Sequence, residues 1–102
     1  MDRRLKLQSI LEGISGVSKV YYQPPESIKL VYPCIIFNLQ NIDMTYADNL
    51  NYRTERSYEI QLIHRDPDTP IIERMIRALP TIRFNRHYVV DNLYHDSFVL
   101  YF

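Results

Sequence analysis

Apolar residues in the first segment recur with a helical period. Leu7, Ile10, Leu11 and Ile14 fall at i, i+3, i+4 and i+7 and form one stripe, while Arg3, Arg4, Lys6, Gln8 and Glu12 take the wetter side. Gly13 and Gly16, the only glycines, follow, and Gly16 is placed to stop the helix because glycine enters the left-handed conformation cheaply. A short strand over residues 19–22 comes next. Pro24, Pro25 and Pro33 then exclude a helix or a central strand and predict an extended surface connection. From Cys34 to Ile42 the period becomes two: Ile35, Phe37 and Leu39 share one face, with Ile36, Asn38 and Gln40 on the other. Tyr58, Ile60 and Leu62 alternate with Glu55, Ser57, Glu59 and Gln61, the signature of a sheet with one buried and one wet face. Residues 43–51 between these strands contain neither glycine nor proline, so the connection is read as the tip of a long projecting hairpin and not as a two-residue turn.

Asp66, Pro67 and Pro70 break the pattern sharply. Asp68 or Thr69 can cap a second helix with Pro70 in its first turn. Ile72, Met75, Ile76 and Leu79 supply its stripe, Glu73, Arg74 and Arg77 face out, and Pro80 ends it. Two more strands are predicted, over 81–88 and 94–102, with 89–92 as the link. The last of them is apolar on both faces from Phe98 to Phe102, which requires burial on both sides, in the middle of the sheet or against a second subunit. The order α-β-β-β-α-β-β makes the chain a single α+β domain over 1–102: a mostly antiparallel sheet, two helices packed on one face, and a long projecting hairpin.

Composition narrows the function. Lys and Arg number 12 and Asp and Glu number 12, so the basic excess of a sequence-independent nucleic-acid binder is missing, and a neutral surface tolerates self-association. Nine tyrosines with no tryptophan suit strands and half-wet interfaces. Cys34 stands alone in an apolar run and is expected to be a buried, inert thiol; neither a disulfide within the chain nor a cysteine zinc site can form. No apolar run is long enough for a signal peptide or a membrane span, which points to a protein made in a cytosol or assembled there.

Chemical motifs are sparse. His64-Arg65-Asp66 spells a kinase catalytic-loop tripeptide, but the glycine-rich loop and metal-binding partners of a kinase are absent, and a strand end before an Asp-Pro turn explains it better. His87, Asp91, His95 and Asp96 are the best metal or acid–base candidates, without a spacing that aligns ligands; no cofactor, metal or catalytic residue is assigned. Arg74, Arg77, Arg83 and Arg86, with Phe84, His87 and Tyr88 between them, could touch nucleic acid or an acidic protein surface, or be a solvated face. Met44, Tyr46, Leu50 and Tyr52 at the hairpin tip have the composition of an interface.

Four stretches carry a resemblance. Residues 23–35, with Gln23-Pro24-Pro25-Glu26-Ser27 and Tyr32-Pro33-Cys34-Ile35, resemble a segment of the small tail completion proteins of long-tailed bacteriophages and prophages. So do Tyr46-Ala47-Asp48-Asn49, Arg65-Asp66-Pro67-Asp68 and the closing run from Asp91 to Phe102. The resemblance implies a tail terminator, or tail-to-head joining protein: a virion structural protein, not an enzyme, assembled in the bacterial cytoplasm. Such a protein forms a homo-oligomeric ring, typically a hexamer, on the finished end of the tail tube. Its implied partners are the major tail tube protein and the head–tail connector or stopper, with DNA passing through the lumen unbound. Interface positions implied in the same way are Tyr46, Asp48, Asn49 and Tyr52 on the hairpin, which Met44 joins by composition, and Arg65, Asp66 and Asp68 in the turn. The alternatives are another neck protein, an adaptor or stopper, or a small nucleic-acid-binding module.

Overall fold

Two helices and five strands follow one another as α1 (Arg3–Glu12), β1 (Lys19–Tyr22), β2 (Cys34–Ala47), β3 (Leu50–His64), α2 (Ile71–Ala78), β4 (Arg83–Val90) and β5 (Leu93–Tyr101). The computed structural model describes residues 3–47 and 50–102, and the side chains of all of these except positions 45, 47 and 50–53. The fold is a small α+β domain with one five-stranded sheet in the order β1-β2-β3-β5-β4. Three of the pairings are antiparallel; β1 alone runs parallel to its neighbour β2. Parallel neighbours need a long crossover, and the proline-rich connection over 23–33 supplies it.

Alternation dictates the core. Ile35 and Phe37 of β2, Tyr58, Ile60 and Leu62 of β3, and Phe98 and Leu100 of β5 lie in one buried cluster with Leu7 and Leu11 of α1 and Ile71 and Met75 of α2. The register places Ile35 opposite Leu62, Phe37 opposite Ile60, and Ile60 opposite Phe98, so these residues define the core face of the sheet. In α2 the buried set is Ile71, Met75 and Leu79, with Ile76 exposed, one residue out of phase with the expected stripe from Ile72. The N-cap of α2 is Pro70, not the expected Asp68 or Thr69, and it supplies no side-chain cap; the Thr69 hydroxyl just before it accepts the Ile71 N–H at 3.3 Å. Gly16 has φ +97°, and a Cβ there would meet the Arg74 guanidinium at 3.1 Å and Ile71 at 3.3 Å. Conformation and close approach both call for glycine here, although α1 already ends at Glu12 and Gly16 lies in the turn beyond it and is not the helix stop.

Strand boundaries differ from the sequence reading in two places. Residues 43–47 and 50–51 are strand, because a stretch free of glycine and proline keeps its ladder donors and lets pairing continue. β4 reaches Val90, and its link to β5 is a tight turn in which Asp91 and Asn92 take φ of 51° and 63°. Positive φ at both central residues is the requirement of the hairpin turn whose twist matches antiparallel strands. β5, between β3 and β4, is an interior strand, one of the two placements its apolar end allowed.

The pairing is uneven along β2 and β3. β1 pairs with β2 only over Cys34–Phe37, and β5 pairs with β3 only over Ser57–His64. Beyond these limits, apart from the Phe102 N–H that donates to the Arg56 carbonyl at 3.0 Å, the described residues of β2 and β3 pair only with each other, out to Ala47 opposite Leu50. Leu39 faces Tyr58 and Asn41 faces Ser57, so Gln40 is an extra residue, a bulge, at the root of this ribbon. One inserted residue inverts the alternation. Before the bulge the odd residues Ile35, Phe37 and Leu39 lie on the core face; after it the even residues Ile42, Met44 and Tyr46 do.

Cys34 is fully buried, and burial pushes its thiol up to about 11. The thiol therefore stays protonated at neutral pH, and the protonated form is neither the nucleophile nor a metal ligand.

Candidate functional site

The candidate interface residues separate into two groups at opposite ends of β3. Met44 and Tyr46 lie on the ribbon, 53% and 59% exposed, with the Tyr46 hydroxyl 3.4 Å from the Met44 sulfur. Asp48 and Asn49 lie outside the described residues, as do the side chains of Leu50 and Tyr52. Arg65, Asp66 and Asp68 form the turn after His64. There the Asp66 carboxylate accepts the Asp68 N–H at 3.0 Å, which closes a local turn. Met44 lies opposite Thr54 and Tyr46 opposite Asn51, so most of β3 separates the two groups, on the order of 35–45 Å at an extended rise of about 3.3 Å per residue.

The turn borders a cavity of about 430 Å³ lined by Tyr32, Pro33, His64, Arg65, Asp66 and Arg74, among others. Its two arginines are engaged. The Arg65 guanidinium lies 5.4 Å from the centre of the Tyr32 ring, and Arg74 donates to the Ser15 carbonyl at 2.9 Å.

The polar cluster inside the sheet is not the one expected from sequence. Asp91 is a turn residue, and His95 lies on the back face, opposite to the core face, stacked on Tyr88 at 4.8 Å. Asp96 and His87 face the core side and are joined there by His64. The buried Asp96 carboxylate lies 2.6 Å from His64 Nε2 through one oxygen and 2.6 Å from His87 Nδ1 through the other. An ionised carboxylate only accepts, so each facing ring nitrogen carries a proton. Both rings also stack on Tyr94, with centroids 5.6 and 5.8 Å away. This is a strand-to-strand clamp: Asp96 on β5 ties β3 and β4 to the strand between them. With both oxygens occupied by ring nitrogens, the carboxylate holds histidines in place. Among the described residues no group of three or more His, Cys, Asp and Glu side chains could hold a metal ion. The sheet face on which His64 lies is legible in the sequence, because the alternation Tyr58, Ile60, Leu62 extended by two residues reaches it; its partnership with Asp96 depends on the pairing of β3 with β5.

Compared with known proteins, the chain matches no family model and no curated sequence.

The arginines, too, are divided. Arg74 and Arg77 belong to α2, whereas Arg83 and Arg86 lie on β4, with Arg86 over the Tyr88 ring at 4.9 Å. Tyr88 is held in turn by Gln61, whose side-chain amide donates to the Tyr88 hydroxyl. No helix among the described residues is long and apolar enough to cross a membrane.

Burial lowers the His95 imidazole below its ordinary value, with a further push from His64 and partial relief from Asp96 and Asp91. The unfolded chain therefore takes up this proton first as pH falls. The stability tied to neutral His95 is fully present above about pH 6.5 and is lost as pH drops toward the lowered folded value. The melting temperature of His95→Gln is expected to fall less than that of the wild type between pH 7.5 and 5.5; parallel curves would remove His95 from the acid response.

Proposed function

We propose that the chain is a ring-forming structural subunit of a long-tailed phage, a tail terminator or a closely related neck protein, and that it acts by assembly and not by chemistry. The observation carrying this reading is the ribbon of β2 and β3. It continues the core face of the sheet past the last residues that β1 and β5 cover, and there the apolar row Ile42, Met44 and Tyr46 stands exposed. An apolar row facing water on a two-stranded arm suits a surface that a neighbour covers. On this reading the ribbon is the long projecting hairpin, and the domain body, with both helices on the core face, is the part that stacks around the ring. The turn at Arg65, Asp66 and Asp68, at the other end of β3, then faces a different partner, the tail tube or the connector. In a closed ring every subunit repeats these contacts, so weak single contacts suffice once the ring sits on a tube. A balanced charge of 12 basic and 12 acidic residues gives DNA in the lumen little to adhere to.

The direct trial is Met44→Ser with Tyr46→Ser. Both side chains are exposed, so the monomer should melt within about 0.5 kcal/mol of the wild type, the usual range for surface substitutions. Assembly, read by light scattering over a concentration series and by electron microscopy with tail tubes, is expected to be lost. A wild type that stays monomeric at every concentration and ignores tail tubes would overturn the assembly reading. Salt-dependent DNA binding, abolished by Arg83→Ala with Arg86→Ala, would establish the nucleic-acid module in its place.

A further inference from the structure

The geometry points to a phosphate-binding site in the cavity where β3 ends and α2 begins. The site stands apart from the ring reading, since it lies within one domain and needs no neighbouring subunit.

The cavity, of about 430 Å³, falls within the span of small-ligand sites, which begins near about 300 Å³. Its charge is uneven. Arg65 and Arg74 line it against one carboxylate, that of Asp66, which already accepts the Asp68 N–H. Each guanidinium is set against a neutral group, Arg65 against the Tyr32 ring and Arg74 against the Ser15 carbonyl. Among the described residues neither makes an ion pair. A guanidinium carries five N–H donors, so one ring contact and one carbonyl bond leave most of them for an anion. Gly16 keeps Arg74 in place: it lines the same cavity, and a Cβ there would meet the guanidinium at 3.1 Å.

His64 adds a different demand. It forms part of the cavity wall, its side chain is 3% exposed, and its Nε2 is taken by Asp96. Its Nδ1 is buried with no hydrogen-bond partner among the described residues, and a buried polar atom left unpaired is costly. Asp96 and the stacked Tyr94 hold the ring in this orientation. With the proton on Nε2, the neutral ring offers Nδ1 as an acceptor, so a ligand seated there has to donate.

Together the three side chains select the ligand. The guanidiniums call for an anion and the imidazole for a donor. At neutral pH a carboxylate or a sulfate only accepts. Inorganic phosphate carries negative charge and still keeps a proton, so its O–H can donate to His64 while its charged oxygens accept from Arg65 and Arg74. A phosphate monoester keeps that proton mainly below its second pKa of about 6, which makes the free ion the better match.

The test uses the whole chain and three ligands: inorganic phosphate, ribose 5-phosphate and sulfate. Each is titrated at pH 7 and constant ionic strength, by calorimetry and by the histidine ring signals in NMR spectra. Phosphate is expected to bind and to shift the His64 signals. Sulfate is expected to bind at least about tenfold more weakly, because the buried acceptor then meets no donor. Arg65→Gln, at an exposed turn position, should keep the fold and weaken phosphate binding roughly tenfold. Ribose 5-phosphate binding more tightly than the free ion would assign the site to an ester, and weaker binding to the ion itself; either result supports a phosphate site. No binding of either phosphate at millimolar concentration, or sulfate bound as tightly as phosphate, would overturn it. So would phosphate binding that leaves the His64 signals unmoved and is indifferent to Arg65→Gln.

Discussion

Phe37→Ala is expected to cost about 4 kcal/mol, within the range for deleting a fully buried phenylalanine ring. Phe37 has no exposed surface, and its ring is tilted against Tyr22 at 4.8 Å and Tyr58 at 6.1 Å. These contacts join β1, β2 and β3, so the cavity opens where three strands share one layer and cannot close by the shift of one side chain. For a domain of this size the loss corresponds to roughly 15–30 °C in melting temperature, readable by thermal denaturation. A drop of only a few degrees would mean that the ring is not packed as described. The contrast with Met44→Ser and Tyr46→Ser is informative: these apolar residues lie on the same sheet face, but beyond the domain's own cover, and should change assembly and not folding.

Asp96→Ala is the second large effect, at about 3 kcal/mol. Hydrogen bonds to a charged group contribute about 1.5–3 kcal/mol each when buried. The two histidines do not share this equally. The His64 side chain is 3% exposed and cannot find water, whereas the His87 side chain is 46% exposed and can. The His64 partnership should therefore dominate. Double-mutant cycles are expected to give a coupling above about 1 kcal/mol for His64 with Asp96 and below it for His87 with Asp96, since half-wet pairs are worth little. Equal couplings would contradict the assignment of the cost to burial. Asp96→Asn retains the shape and one acceptor and should recover part of the loss.

The residues show why parts of this molecule are legible in the sequence and others are not. The alternation of Tyr58, Ile60 and Leu62 is strict because one sheet face is buried, and it places the core directly. The helical stripe of α1 does the same through Leu7 and Leu11. The phase of α2 is less determined: Ile71, Ile72 and Ile76 all offer apolar surface, and only the position of the sheet decides that Ile71 is buried and Ile76 is not. The Asp96 clamp joins residues 32 apart in the chain across a strand pairing that no local pattern encodes. Bulges are hidden for a related reason. Nothing distinguishes Gln40 from its neighbours until β3 is laid beside it, and the separation of the candidate residues to the two ends of β3 appears only with that register.

The bulge also has a genetic consequence. Losing the one codon for Gln40 would leave the buried residues from Ile35 to Leu39 in place and rotate everything beyond them by half a turn. Ile42, Met44 and Tyr46 would then move to the opposite surface, and Asp43 to the one they left. A single in-frame deletion would thus exchange the two surfaces of this strand pair, with the hydrophobic interior untouched.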